Sequence, residues 1–334
     1  MEITSIPGSA LTVSRMGLGT WAIGGWMWGG SDEALSIATI RSAVERGITL
    51  IDTAPVYGFG RSEEIVGKAL AEGGLRHRVA IATKVGLDWP SGGGQPFRNG
   101  SRQRIFKEVE DSLQRLRTDV IDIYQVHWPD LETPIAETAE AMRDLHTEGK
   151  IKAIGVSNYS AEQIETFASV APLHVAQPPY NLFEREIEGD VLPFCRVHDV
   201  ATLTYGALCR GLLSGKMTAD TAFTGDDLRS VDPKFQQPRF RDYLAAVARL
   251  DSFAKSAFNK RVIHLALRWI LDQPGVSTCL WGARRPEQLD PVSEVMGWTL
   301  DSDAKAEIER ILHDTIPQPL GPEFMAPPTQ RPPS

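Results

Sequence analysis

The chain of 334 residues has few cysteines and no long apolar run, and each absence excludes a class of protein. Its three cysteines lie singly in apolar segments without a CxxC pair, so neither a disulfide framework nor a zinc site is expected. No apolar stretch approaches the ~20 residues of a membrane helix. The N-terminus lacks the basic and apolar regions of a signal peptide. We therefore expect a cytoplasmic protein without a membrane partner.

The sequence also lacks the basic surplus that a nucleic-acid surface requires. Its 35 lysines and arginines are outnumbered by 43 aspartates and glutamates, which gives a net charge of −8. No GxGxxG turn opens the first helix, which argues against a doubly wound dinucleotide-binding sheet. We expect no nucleic-acid partner.

What the sequence does contain is a regular alternation of short apolar strands and amphipathic helices. Eight such units run from "SRMGLGTW" to the helices after "VSTCLWGA". Continuous apolarity indicates strands buried on both faces of a parallel sheet, and eight units predict an α/β fold, a (β/α)8 TIM barrel. We expect a single domain over residues 1–334, with an N-terminal β-hairpin at about 1–14, a long loop at 206–240 and an irregular C-terminal tail at about 316–334.

Four titratable residues lie at the ends of three neighbouring strands. Asp52 ends the second strand, Tyr57 lies in the loop beyond it, and Lys84 and His127 end the next two strands. A lysine among apolar walls needs a counter-ion, an ammonium lowers the pKa of a nearby phenol, and a neutral imidazole can orient a carbonyl. Taken singly, each residue has an ordinary structural explanation that is favoured. An aspartate at a strand end is usually a helix cap or turn residue, and a loop tyrosine usually lies on the surface. A lysine at a strand end is usually solvated, and the histidine could belong to the core. Together they favour a proton-donating catalytic site.

The motifs "IDTAPVYGFGRSEEIVGKAL", "ATKVG", "RTDVIDIYQVHWPD" and "YGALCRGLLSGK" resemble the aldo-keto reductase superfamily over about residues 3–327. The stretch "GDDLRSVDPKFQ" and the tail "GPEFMAPPT" resemble its bacterial stress-associated and glycerol-dehydrogenase-like subgroup, family 11. The resemblance implies a barrel enzyme that uses NADP(H), with NAD(H) as the less favoured cofactor, and no metal. It also implies Tyr57 as general acid, Lys84 as the partner that lowers its pKa, Asp52 as the counter-ion of Lys84 and His127 as the residue that orients the carbonyl.

The resemblance further implies where the cofactor lies. Residues expected around the nicotinamide and its ribose are Ser157, Asn158, Gln177, Tyr205, Thr20 and Trp21. Small residues let backbone N–H groups approach the pyrophosphate along Tyr205, Gly206, Ala207, Leu208, Cys209 and Arg210. The expected clamps over the cofactor are Lys216 and Arg229.

The segment "WGARRPEQL" after the eighth strand is expected to open a helix that binds the far end of the cofactor. Gly282 and Ala283 would offer amides to an anion, Arg284 would bind a ribose 2′-phosphate, and Gln288 would reach the adenosine. Many members of the superfamily carry Glu-Asn shortly after this glutamine, where this chain has residues 291–292, Pro-Val. The adenine contacts and the ratio of NADP to NAD therefore stay open.

On the substrate side, three tryptophans are expected to wall a pocket for a small carbonyl compound: Trp26 and Trp28 in a glycine-rich, mobile loop, and Trp128 after the histidine. The predicted activity is reversible hydride transfer between the nicotinamide and an aldehyde, triose, sugar or polyol. The sequence does not decide the natural substrate, the physiological direction or the oligomeric state.

Two other functions are compatible with a barrel. One is a regulatory subunit that binds the cofactor with little turnover, which has no need for a complete acid–lysine pair. The other is a metal-dependent hydrolase, which needs more histidines and carboxylates at strand ends than His127 and Asp52.

Overall fold

Short runs of aliphatic residues form the strands, because their side chains fill both faces of a covered sheet. The computed structural model describes residues 1–329. Its strands are β1 (Ile3–Ser5), β2 (Thr12–Ser14), β3 (Met16–Gly19), β4 (Leu50–Asp52), β5 (Ala80–Val85), β6 (Leu87–Asp88), β7 (Phe97–Arg98), β8 (Ile121–Val126), β9 (Ile151–Ser157), β10 (Val175–Gln177), β11 (Ala201–Thr204) and β12 (Thr278–Gly282). Eight of them close into a parallel barrel in the order β3-β4-β5-β8-β9-β10-β11-β12, so the predicted (β/α)8 fold is confirmed.

Amphipathic helices surround the barrel and bury their apolar stripes against it. They are α1 (Trp21–Gly24), α2 (Glu33–Glu45), α3 (Arg61–Glu72), α4 (Arg102–Leu116), α5 (Ile135–Thr147), α6 (Ala161–Ala168), α7 (Val191–Val197), α8 (Arg239–Phe258), α9 (Val262–Leu271), α10 (Val292–Val295) and α11 (Ser302–Thr315). None of these helices of residues 1–329 combines the length and the apolar character needed to cross a membrane.

The predicted N-terminal hairpin is present and packs against residues of the barrel interior. β1 and β2 pair antiparallel, with Ile3 opposite Ser14. Ile6 and Val13 are fully buried in one cluster with barrel residues such as Leu50. The hairpin therefore packs at the amino-terminal end of the barrel, and the carboxyl end is left for a site.

Strand alternation decides which side chains reach that carboxyl end. Successive residues of a strand point to opposite faces. On β5, Lys84 reaches Asp52 of the neighbouring β4, whereas the preceding Thr83 bonds Glu63 of α3 outside the barrel. The same strand thus supplies one charge to the site and one anchor to the surrounding helices.

Two segments differ from the sequence-based expectation. The loop expected at 206–240 is irregular apart from short 3-10 turns, but the 20-residue helix α8 that begins at its end was not predicted. After β12 the chain forms a four-residue 3-10 helix, Pro286–Leu289, and the equally short α10 in place of a longer helix.

The C-terminal tail is irregular as expected and is held at several points. Arg98 donates to the Pro327 carbonyl, and Lys234 donates to the Gly321 carbonyl. Residues 330–334 of the predicted tail lie outside the described residues. The tail thereby brings Met325 to the edge of the cavity at the carboxyl end of the barrel.

Candidate active site

The centre of the site is a buried lysine bound on several sides. The ammonium Nζ of Lys84 donates to both carboxylate oxygens of Asp52 at 2.9 and 2.8 Å, and to the Thr53 carbonyl at 2.9 Å. It also lies 3.3 Å from the phenol oxygen of Tyr57. Lys84 is 0% exposed and Asp52 3%, so this ion pair is shielded from water. The three residues that were expected to act together are therefore in direct contact.

Burial sets the protonation states here. Burial, and then the charge of Asp52, raise the pKa of Tyr57 well above its usual value. The lowering of this pKa by Lys84 stays a prediction; its ammonium lies 3.3 Å from the phenol oxygen and is paired with the Asp52 carboxylate. Tyr57 is a neutral phenol at physiological pH and can donate a proton.

His127 completes the group from the end of β8. Its ring packs edge-on against Tyr57 with centroids 5.7 Å apart. Burial, and then the charge of Lys84, lower the pKa of His127 well below its usual value, so the imidazole is neutral. Within the described residues neither ring nitrogen has a hydrogen-bond partner. A neutral ring with a free N–H can hydrogen-bond an external oxygen.

Two glutamines hold the other side of Asp52. Gln177 Nε2 donates to Asp52 Oδ1 at 2.8 Å and to the Gln125 side-chain oxygen at 3.1 Å. Gln125 in turn lies 3.4 Å from the same carboxylate oxygen. Gln125 fits because its neighbour is Gly155, where a Cβ would sit 2.7 Å from the Gln125 Cγ. Gln177, expected against the nicotinamide, is 2% exposed, and its Nε2 donates to Asp52, the counter-ion of Lys84.

The remaining residues expected around the nicotinamide are bonded to one another. Tyr205 donates its phenol to the Asn158 side-chain oxygen at 2.8 Å. The amide nitrogen of Asn158 donates to the His127 carbonyl, and Ser157 donates to the Gln177 carbonyl. Of these residues Tyr205 lines the adjoining cavity, directly beside Tyr57 and Asp52.

A cavity of about 1030 Å³ opens beside these residues at the carboxyl ends of β3, β4, β11 and β12. Trp21 forms part of its wall and stacks on Tyr57 at 5.9 Å. Thr20, expected beside the ring and ribose, is fully buried and donates to the Asp52 carbonyl, so it does not reach the cavity. The volume is large enough for an extended molecule of several rings.

Free backbone amides line one wall of this cavity. Tyr205 and Cys209 donate their N–H groups to the carbonyls of Pro178 and Gly206. In the described part of the chain the other amides of the segment have no acceptor, and their residues all line the cavity: Gly206, Ala207, Leu208 and Arg210. Three consecutive free amides make a concave surface that suits an anion.

The guanidinium of Arg210, by contrast, is already neutralised. It is 7% exposed and pairs with Glu184 at 2.5 Å and with Asp232 at 2.6 Å. Lys234 pairs with the same Glu184 at 2.9 Å. Although burial alone would raise the pKa of Glu184, Arg210 and Lys234 hold it below its usual value. This buried network fixes the segment that carries the free amides.

The two clamp residues predicted in the long loop differ in their pairing. Arg229 pairs with Asp227 at 2.6 Å and lies over the ring of Trp28. Lys216 is exposed, lines the cavity and forms no ion pair within residues 1–329. Lys216 is thus available to an anion without first losing a partner.

The segment after β12 departs from its predicted role as a helix N-terminus. Gln288 accepts hydrogen bonds from the Arg284 and Arg285 amides, so its side-chain oxygen serves this turn. Gly282 and Ala283 line the cavity before that turn. The helix that opens here is a 3-10 helix of only four residues, so its dipole is small.

Arg284 itself reaches across the cavity. Its guanidinium donates to the Trp28 carbonyl at 2.7 Å and to the Gly30 carbonyl at 3.1 Å. The same glycine-rich loop is held from the other side, where Asp226 accepts from the Met27 amide at 2.8 Å. The loop that was expected to be mobile is therefore bonded to two other loops.

The predicted tryptophans occupy different places. Trp28 lines the cavity and meets Trp21 edge-on at 5.6 Å. Trp26 packs on Phe59 at 5.0 Å, and Trp128 lies under the Arg98 guanidinium at 5.2 Å. Trp26 and Trp128, together with Trp21, pack against one apolar cluster that contains Tyr57.

A family model supplies the identification. The model described as the Aldo/keto reductase family matches residues 15–313. The chain belongs to the aldo/keto reductase family, and it is an oxidoreductase enzyme.

Relatives of this aldo/keto reductase cover almost its whole length. It is 62% identical over 330 residues to the aldo-keto reductase YhdN of Bacillus subtilis, covering 99% of each chain. It is 38% identical over 321 residues to an NADH-specific methylglyoxal reductase of Escherichia coli, covering 92% of this chain and 96% of the relative.

Solved structures agree with the fold. The glycerol dehydrogenase AKR11B4 of Gluconobacter oxydans has a TM-score of 0.88 at 52% identity, covering 97% of this chain and 99% of that one. An aldo/keto reductase of Klebsiella pneumoniae in complex with NADP and acetate has a TM-score of 0.69 at 28% identity, covering 90% and 92%. The aldo-keto reductase AKR11C1 of Bacillus halodurans has a TM-score of 0.79 at 28% identity, covering 93% of this chain and 96% of that one. Together with AKR11B4 it confirms the predicted place in family 11.

Sequence reasoning missed three residues of this reductase site. Gln125 was not singled out, although it lies two residues before His127 on β8 and therefore on the same face. Trp89 joins the aromatic cluster from the turn after β6. Arg261, exposed at the start of α9, adds a cation to the cavity wall. The alternation of side chains along a strand predicts Gln125. The positions of Trp89 and Arg261 depend on the paths of loops, which no periodic pattern in the sequence indicates.

Proposed function

We propose that the enzyme is an NADP(H)-dependent reductase and dehydrogenase that interconverts small carbonyl compounds and alcohols, with Tyr57 as general acid and base. The observation that carries this proposal is the contact of 3.3 Å between the buried ammonium of Lys84 and the Tyr57 phenol at the wall of the large cavity. A binding subunit has no need for such a contact. The barrel and the family match at residues 15–313 support one catalytic domain along the chain.

The side chains divide the acid–base work. A bound nicotinamide coenzyme supplies the hydride in reduction and accepts it in oxidation. Tyr57, kept neutral by burial, donates its proton to the substrate oxygen, and the Lys84 ammonium then stabilises the phenolate. His127 donates a ring N–H to the same substrate oxygen and orients it. Asp52 keeps Lys84 charged through both carboxylate oxygens.

The cavity fits a dinucleotide with phosphate groups. The free amides of Gly206, Ala207 and Leu208 suit the pyrophosphate. Lys216, Arg261 and Arg284 are cations of the wall that form no ion pair with a carboxylate in residues 1–329. Burial, and then Arg229, lower the pKa of Arg284. Its guanidinium donates to the carbonyls of Trp28 and Gly30 and is free of a carboxylate partner in residues 1–329, so it can bind a ribose 2′-phosphate, and we favour NADP(H) over NAD(H).

The substrate is proposed to be a small aldehyde, triose, sugar or polyol. The relatives include a methylglyoxal reductase and a glycerol dehydrogenase, both named for three-carbon compounds. Trp21 and Trp28 give the space beside Tyr57 apolar walls. Such walls exclude water and favour a compact substrate.

Tyr57→Phe tests the assignment of the acid. The variant keeps the ring that stacks on Trp21 and removes only the hydroxyl. We expect turnover of glyceraldehyde with NADPH to fall by about 10²–10⁴-fold. NADPH binding, measured by quenching of tryptophan fluorescence, should stay within about twofold, because the hydroxyl is not among the proposed phosphate ligands. Unimpaired turnover would remove Tyr57 from the mechanism, and a wild-type protein without turnover would favour the binding subunit.

Arg284→Ala tests the cofactor preference. The dissociation constant for NADPH should rise by about tenfold more than that for NADH, because only NADPH carries the 2′-phosphate. The matched control is Arg285→Ala, which removes an exposed neighbouring charge that does not line the cavity. Equal losses for the two cofactors in Arg284→Ala would assign this arginine to loop anchoring alone.

A further inference from the structure

A buried carboxylate behind the barrel wall has no part in the mechanism above. Glu63 lies in the first turn of α3, within the motif "GRSEE", and is 0% exposed. A buried carboxylate is costly unless it is paired and hydrogen-bonded. Its partners therefore indicate what it does.

Glu63 holds the strand that carries Lys84. One of its carboxylate oxygens accepts a hydrogen bond of 2.5 Å from the Thr83 hydroxyl, and the other accepts from Arg115 at 2.6 Å. Thr83 directly precedes Lys84 on β5, so the two side chains lie on opposite faces of the same strand. A shift of Glu63 is transmitted to Lys84 through a single backbone unit.

The neighbouring Ser62 holds the second anchor of Lys84. Its hydroxyl accepts from the Thr53 hydroxyl at 2.9 Å and donates to the Thr20 carbonyl at 3.1 Å. The Thr53 carbonyl is itself an acceptor for the Lys84 ammonium. The first turn of α3 thus touches both strands that meet at Lys84.

The titratable groups around Lys84 come from four elements. Asp52 approaches from β4, Tyr57 from the loop after it, and His127 from the end of β8. Glu63 adds a negative charge from α3. Burial lowers the pKa of Lys84, whereas first Asp52 and then Glu63 raise it. Glu63 is the one carboxylate of this set that is not bonded to the lysine.

We propose that Glu63 is a positioning residue for Lys84, which it acts on through Thr83 and through its negative charge behind the barrel wall. This inference rests on the proposed function, in which a charged Lys84 stabilises the phenolate of Tyr57. Loss of the Glu63 charge makes Lys84 easier to deprotonate. Carbonyl reduction then fails at a lower pH than in the wild type.

Glu63→Gln tests the charge, because glutamine keeps the size and can still accept from Thr83. We measure kcat for glyceraldehyde reduction with saturating NADPH at about pH 7 and about pH 9.5, around the range where lysines titrate. The ratio of kcat at the higher pH to that at the lower pH should fall by about threefold or more. Glu63→Asp retains the charge and should restore most of the ratio.

The matched control is Glu108→Gln. Glu108 is 1% exposed and pairs with Arg115 and Arg104, so the change removes one charge from the same cluster. It does not act on Lys84 and should leave the ratio unchanged. Should Glu63→Gln fold poorly, the double variant Glu63→Gln/Arg115→Gln removes both halves of the ion pair. The loss of the Arg115 cation partly offsets the loss of the Glu63 charge, so the ratio should fall in the same direction but by less.

The outcomes separate this inference from the proposed function. If Tyr57→Phe abolishes turnover while Glu63→Gln has the wild-type ratio, Glu63 has no influence on Lys84 and the inference fails alone. An equal fall in Glu108→Gln would also overturn it, because the effect would then follow from general loosening of the cluster. If Tyr57→Phe retains full turnover, the proposed function itself fails.

Discussion

Replacing Lys84 by methionine should destabilise the protein more than removal of any exposed ion pair. The lysine is fully buried, and its ammonium donates to both oxygens of Asp52 and to the Thr53 carbonyl. Without it, the side chains of residues 1–329 that still bond the buried Asp52 carboxylate are those of Gln177 and Gln125. Leaving one partner of a buried pair uncompensated costs about 3–5 kcal/mol. We expect the free energy of unfolding to fall by that amount.

The double variant Asp52→Asn/Lys84→Met separates stability from activity. Because both charges are removed, most of the lost stability should return, to within about 2 kcal/mol of the wild type. Turnover should stay absent, because the phenolate of Tyr57 has lost its cation. Urea unfolding followed by tryptophan fluorescence gives the free energies, and reduction of glyceraldehyde gives the activity.

An exposed pair of the same chemistry is the control. Lys68 contacts Glu33 at 2.7 Å, about the distance of the buried pair, but both side chains are exposed. Lys68→Met should therefore leave the unfolding midpoint almost unchanged. The reasoning is refuted if Lys84→Met is no more destabilising than this control, or if the double variant is no more stable than the single one.

Two further predictions concern Tyr57. Because burial and Asp52 raise the pKa of its phenol well above the usual value of about 10, the phenolate needed as base is scarce at neutral pH. We expect kcat for glycerol oxidation to rise with pH up to about 10, whereas kcat for glyceraldehyde reduction should stay nearly level over the same range because the phenol remains protonated. Equal slopes in the two directions would contradict this. Gly24→Ala should lower kcat by about tenfold or more at unchanged NADPH affinity, since its Cβ would lie 2.5 Å from the Tyr57 carbonyl group. An unchanged kcat would show that the loop carrying Tyr57 can move to accept the added methyl group without loss of activity.

The barrel and the contact of Tyr57 with Lys84 and Asp52 were predictable because both follow from periodic features. Continuous apolarity marks a strand of a covered parallel sheet, and the last residue of each strand must lie at one rim. Asp52 is the last residue of β4 and Lys84 the next-to-last residue of β5, both on inward-facing positions, so parity brings them together. The same parity would have placed Gln125, had it been applied two residues before His127.

Helix α8 was missed although its signal is in the sequence. Phe240, Tyr243, Val247 and Leu250 follow one another at intervals of three and four and are all buried. That spacing is typical of one helix face. The loop predicted at 206–240 ends where this helix begins, but the periodic residues after it were not assigned to an element.

Protonation and pairing could not be derived from local sequence. The pKa of Tyr57 depends on how completely the ring is buried, and burial arises from tryptophans of other loops. Arg210 was expected beside a phosphate, but its charge is neutralised by Glu184 and Asp232, more than twenty residues away on either side. Such partners are fixed by the path of the loops, which no periodic pattern encodes.

Pairing also decides which basic residues of the cavity can bind an anion. Arg210 has two buried carboxylates, and a phosphate would have to displace them at the cost of leaving buried charges unpaired. Lys216 and Arg261 are exposed and Arg284 bonds only neutral carbonyls, so these three gain a charge partner without losing one. Arg210 therefore holds the segment whose free amides line the cavity, whereas the three unpaired cations attract the phosphate groups. A basic residue at a cavity wall indicates phosphate binding only when it is not already paired with a carboxylate of the protein.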